Sequence, residues 1–115
     1  MPSRRHWVNL PVIRECLHEL NDRVEQGRLW LSTGGEVSSF DEAVAGLFDD
    51  SGLSHELERG TTGLGAPAEQ ALRALRDALR TVDSSVPVDV LIDSPEMDEV
   101  RRRASAALAL VEAHR

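Results

Sequence analysis

Apolar residues recur at intervals of three and four in three separate stretches of the chain. Ile13, Cys16, Leu17, Leu20 and Val24 make the first stripe. Ala68, Ala71, Leu72, Leu75, Leu79 and Val82 make the second, and Met97, Val100, Ala104, Ala107, Leu108 and Val111 the third. That period lines up side chains on one face of an α-helix, whereas a strand would scatter them over both of its faces. Composition agrees. Leu, Val and Ala supply nearly all the apolar content, and the only aromatic residues are Trp7, Trp30, Phe40 and Phe48. Leu and Ala favour helices, while strands favour aromatic and β-branched residues. The expected fold is all-α: a compact bundle of four to five helices around one aliphatic core, a single helical domain over residues 1–115.

Capping signals set the boundaries. Asn9 is a good N-cap for the first helix, with Pro11 tolerated in its first turn and Gly27 as a C-cap. Residues 28–31 read as one more helical turn or a packed connector, and residues 32–35 as a turn. Ser39 and Glu42 have capping-box spacing and open a helix to about Asp49, with Phe40, Val44, Leu47 and Phe48 on one side. Residues 50–52 stop it. A short helix over 53–59 follows, capped by Ser54 and ended by Gly60. Residues 61–66, with Gly63 and Gly65, form the expected mobile loop. Pro67 starts the next helix, and Glu69 precedes Arg73 by four, the favourable order for a surface ion pair. Residues 86–92 alternate like a strand, yet Pro87 also suits a helix start. A lone strand would leave its backbone unpaired, so a short helix is preferred there, with an extended segment as the alternative. Ser94, Pro95 and Glu96 open a last helix to about Ala113.

The charge is local. Twenty acidic residues against thirteen arginines, with no lysine, leave a net charge of −7. Seven of the acids, Glu36, Asp41, Glu42, Asp49, Asp50, Glu56 and Glu58, fall within residues 36–58, where there is no arginine. The other thirteen acids balance the thirteen arginines. Such a segment steers basic partners and repels nucleic-acid phosphate.

Asp41, Glu42, Ala43 and Val44, then Leu47, Phe48, Asp49 and Asp50, followed by Ala68, Glu69, Gln70, Ala71, Leu72 and Arg73, resemble a family of small uncharacterised bacterial α-helical proteins. The resemblance implies a helical fold and carries over no activity.

Residues that could carry chemistry are few. Glu15 and His18 have the spacing of a ligand pair in di-metal bundles, but the second such pair and the further glutamates are missing. Asp49, Asp50, His55 and Glu56 could gather around a divalent ion across the turn at residues 51–52, although acids before a glycine turn also serve the turn itself. Cys16 lies on an apolar stripe and reads as an inert core thiol, and one cysteine suits a reducing compartment. The triplet Arg101, Arg102 and Arg103 lies beside Glu96, Asp98 and Glu99 and reads as a solvated face. Trp7 and Trp30 bracket the first helix, closing the core or presenting an interface anchor. No catalytic residue, metal site or cofactor is expected. Neither a signal-peptide core nor a membrane-spanning run is visible, which makes the expected location cytoplasmic.

The function expected from these readings is a protein–protein interaction module of the inhibitor, immunity or regulatory type. Its partner-binding residues would be Asp41, Glu42, Asp49, Asp50, Glu56 and Trp30, and its partner a basic protein. A homodimer or other homo-oligomeric scaffold is the alternative, and a divalent-metal-dependent enzyme the third reading. Nucleic-acid and membrane partners are not expected.

Overall fold

The computed structural model describes residues 8–31, 39–60 and 62–113. Trp7, Glu36, His6 and His114, together with the turn expected at 32–35, lie outside them. Among the described residues there are seven α-helices, one π turn and no strand. The helices are α1 (Leu10–Asn21), α2 (Arg23–Trp30), α3 (Phe40–Ala45), α4 (Leu53–Arg59), α5 (Ala66–Leu79), α6 (Val88–Ile92) and α7 (Pro95–Ala113). The π turn, Gly46–Asp50, continues α3. The all-α bundle follows from the three stripes, and the ambiguous stretch at 86–92 is helical.

Two short helices raise the count above the expected four to five: α6, and α2, which Asp22 separates from α1. The Asp22 backbone is extended (φ −115°, ψ 106°), and its carboxylate accepts from Val24 N at 2.9 Å and from Glu25 N at 3.1 Å. An aspartate that satisfies backbone donors itself offers the chain an alternative to continuing the helix. The first helix therefore stops at Asn21 and a new one begins. The break rotates the chain: Val24 is 78 % exposed instead of joining the stripe, and Gly27 lies inside α2 instead of ending α1. Gln26 and Trp30 turn inward in their place.

Asn9 caps α1 as expected, accepting from Val12 N at 3.3 Å, and its own N–H donates to Ser51 O at 2.9 Å. Ser39 Oγ accepts from Glu42 N at 3.1 Å and starts α3. The run from Phe40 to Asp50 then widens into the π turn, where Leu47 and Phe48 are buried. Gly46 at its start packs closely on α1: a Cβ there would lie 3.0 Å from Cys16 Sγ. Ser51 closes the turn, its hydroxyl donating to Leu47 O and accepting from Leu53 N. Ser54 was the expected cap of α4; Gly52, in the left-handed region at φ 81°, holds that position, and Ser51 satisfies the first donor.

The loop before α5 is more firmly held than its glycines suggest. Thr62 is completely buried, and its N–H and hydroxyl both donate to Glu69 Oε2. Glu69 is thereby taken from its expected partner. Arg73 instead donates to Leu57 O at 2.6 Å, near the C-terminal end of α4, where carbonyls lack helical partners.

α7 is the spine, packed along both α5 and α1. Ala104 and Ala107 are fully buried and let the neighbouring helices approach closely, with Met97, Val100 and Val111 filling the seam. α2 leans on α6, and Arg23 pairs with Asp93 between them. The buried apolar residues form one cluster.

Candidate functional site

α3, the π turn and α4 carry the acidic segment. Asp41 and Glu42 sit in the first turn of α3, and Asp49 and Asp50 at the end of the π turn; all four are exposed. Glu58, on the last turn of α4, is exposed as well. Among the described residues, none of Asp41, Glu42, Asp49 and Asp50 takes part in an ion pair. Arg28 pairs with Glu25, Arg80 with Asp77, Arg101 with Asp98, and both Arg102 and Arg103 with Glu99. His18 Nε2 lies 3.5 Å from Glu112 Oε2. The four exposed acids of α3 and the π turn thus present charge that no arginine of the described chain answers.

The two remaining candidates sit elsewhere. Trp30 is 7 % exposed: its Nε1 donates to Glu19 Oε2 at 2.6 Å, and its ring meets Phe40 edge-on, with centroids 5.8 Å apart. It joins α2 to α1 and α3 as a core residue, because a Trp with its N–H satisfied buries its ring at little cost. Glu56 is buried to 9 % exposure. The presented surface is therefore Asp41, Glu42, Asp49 and Asp50.

Behind the π turn, the outer side of α1 and α2 forms an open cleft of about 300 Å³, lined by Glu15, Cys16, His18, Glu19, Glu25 and Leu29. The Cys16 thiol is pushed up to about 11, first by burial and then by the negative charges of Glu19, Glu15 and Asp50. A thiol so placed stays protonated at neutral pH and is no nucleophile. Glu25 is held below the usual carboxylate range by its hydrogen bonds from Arg28. The described residues contain no group of three or more His, Cys, Asp and Glu side chains arranged to hold a metal ion. Glu15 with His18, and Asp49 and Asp50 with His55 and Glu56, do not assemble into one. No helix of the described chain is long and apolar enough to cross a membrane.

Two features escape the sequence. Gln26, completely buried, donates to Glu19 O and Leu20 O at 2.9 and 2.8 Å and accepts from Arg101 Nη1 at 2.5 Å. Arg101 goes on to Ile92 O and Asp98, at 2.8 and 3.1 Å, so it belongs to a buried network and not to the solvated face expected of its triplet. The second feature is a groove along α5 beside Arg76. A helical wheel would have placed Arg101 at the edge of the α7 stripe; nothing in the sequence pairs it with Gln26. No family model, no curated protein and no solved structure matches this chain.

Proposed function

We propose that the chain is a protein-interaction module that docks a basic protein partner on the face formed by α3 and the π turn. The observation that supports it most directly is the set of four exposed carboxylates, Asp41, Glu42, Asp49 and Asp50, which lie on one short helical run and have no arginine partner among the described residues. Exposed carboxylates on rigid helical backbone act on a partner in two ways. They speed encounter through the local field, and they reject partners of the same sign, nucleic acid included. An inhibitor, immunity or regulatory protein acting in the cytoplasm on a basic target is the concrete form of this reading, and the single cysteine suits that compartment.

The test is affinity capture from host-cell lysate, with the protein immobilised away from this face. A partner held electrostatically elutes at about 0.5 M salt, where the Debye length is only a few ångströms. Failure of any basic protein to bind at low salt would refute the reading.

A homo-oligomer is the second reading, and one observation favours it. Val24, Leu31, Val88 and Val90, on the neighbouring α2 and α6 and at the end of α2, are 78 %, 48 %, 38 % and 52 % exposed. Scattered exposed valines are ordinary on monomers. Sizing chromatography separates the readings, since a monomer at micromolar concentration removes the second.

A further inference from the structure

Between the π turn and α5 runs an open groove of about 270 Å³, walled by Val44, Phe48 and Leu79 and flanked by Arg76 and Arg80. Its chemistry is the opposite of the acidic face. Arg76 Nε is sealed from solvent and has no hydrogen-bond partner, and no carboxylate of the described chain pairs with this guanidinium. Buried polar atoms are almost always satisfied, and this one is not, although the Arg76 side chain as a whole is only half-buried and lines the groove. Arg80 follows four residues later, so two like charges share one side of the helix, an arrangement that is unfavourable in itself. Arg80 leans back to Asp77 at 3.3 Å, but Arg76 has no such relief. The opposite wall carries Phe48 on a π turn, a rare backbone form that recurs at functional sites.

We propose that this groove binds a small amphipathic anion: a carboxylate bearing a short aliphatic tail. The tail lies against Val44, Phe48 and Leu79, and the carboxylate meets the guanidinium groups of Arg76 and Arg80. Charge complementarity selects this occupant. A neutral aliphatic ligand fills the walls but leaves Arg76 unanswered, and a cationic one is repelled. The volume, that of roughly nine waters at about 30 Å³ each, takes a chain the size of octanoate. The site shares α3 and the π turn with the acidic face, but its charge comes from the two arginines of the α5 side.

Amide-resolved NMR titration of the whole chain with sodium octanoate, kept below its micelle-forming concentration, tests this. Octan-1-ol and octylammonium are run in parallel. The expected result is saturable shifts confined to the amides of residues 44–48 and 76–80, with octanoate binding about tenfold or more tighter than octanol, the worth of a charge-assisted hydrogen bond. Arg76→Met is expected to remove that advantage while octanol binding stays unchanged. Should Arg76→Met fail to fold, Arg80→Gln is expected to weaken octanoate alone. Equal affinities for octanoate and octanol, shifts spread over the surface, or octanoate binding insensitive to both substitutions would overturn the proposal.

Discussion

Asp41 and Glu42 sit at the positive end of α3, where a carboxylate is stabilised by the helix dipole. Asp49 and Asp50 sit at the other end of the same helical run, where it is not. Nor do the latter two serve the turn with their side chains. Ser51 satisfies Leu53 N, and Asp49 contributes only its backbone carbonyl, to Gly52 N at 3.1 Å. Neutralising Asp41 and Glu42, as Asn and Gln, is therefore expected to cost about 0.3–1 kcal/mol for each residue. Asp49→Asn and Asp50→Asn are expected to cost nothing, or to stabilise slightly. Urea denaturation reads the difference; equal losses for both pairs would mean that all four acids serve the fold. Cys16 supplies a second expectation. Its folded pKa of about 11 stands above that of an ordinary thiol near 9, so folding favours the protonated form. The stability this contributes is intact below about pH 9 and is lost as pH rises towards 11. Cys16→Ala should flatten the pH dependence in that window. At pH 8, iodoacetamide should alkylate Cys16 about a hundredfold more slowly than a free thiol, because the buried thiol yields that much less thiolate.

At the scale of elements, close approach and buried polar groups decide the architecture. Gly46 lets the π turn rest on α1, with an added Cβ only 3.0 Å from Cys16 Sγ. Its backbone is helical (φ −61°, ψ −42°), so alanine would gain about 1 kcal/mol of helix propensity if the thiol were absent. Gly46→Ala is therefore expected to be less favourable in the native background than beside Cys16→Ala, and a double-mutant cycle should show that coupling. Identical effects in the two backgrounds would mean that the thiol simply moves aside. Gln26 is the counterpart in polar packing. It satisfies two carbonyls at the end of α1 and, through Arg101, ties α2 to α7 and to the end of α6. Gln26→Leu leaves those groups short of partners and is expected to destabilise the fold by about 3 kcal/mol, given about 1–3 kcal/mol for each buried group left unsatisfied. Thermal or urea unfolding would measure it. These elements also show how far the sequence was legible. The stripe of α7 is read directly, since every position named for it is buried; that of α5 is read as far as Leu79, where the helix ends short of Val82, and Ala71 is only half-buried. The break at Asp22 is not, because an aspartate in mid-pattern is as compatible with a solvent-facing position as with a cap. The anchoring of the loop before α5 by Glu69 was also hidden, since the carboxylate had an obvious alternative in Arg73.

For the molecule as a whole, charge is distributed by element. α7 pairs Asp98 and Glu99 with its own arginines, and Glu99 is held below the usual carboxylate range by hydrogen bonds from Arg102 and Arg103. The run through α3 and the π turn leaves its four exposed acids unpaired, although it lies on the same core. The acidic segment itself was visible in the sequence. Its division into presented carboxylates and a buried Glu56, and the assignment of Trp30 to the core, required the packing. The most direct test compares two variants with the same net charge. One replaces Asp41, Glu42, Asp49 and Asp50 by their amides; the other does so at Asp83, Asp89, Glu96 and Glu112, which are exposed elsewhere. With the captured basic partner in hand, the expected result is that the first variant loses binding while the second retains it and keeps the same salt dependence. Equal loss in both would reduce the interaction to overall charge, and full retention by the first would contradict the acidic docking face.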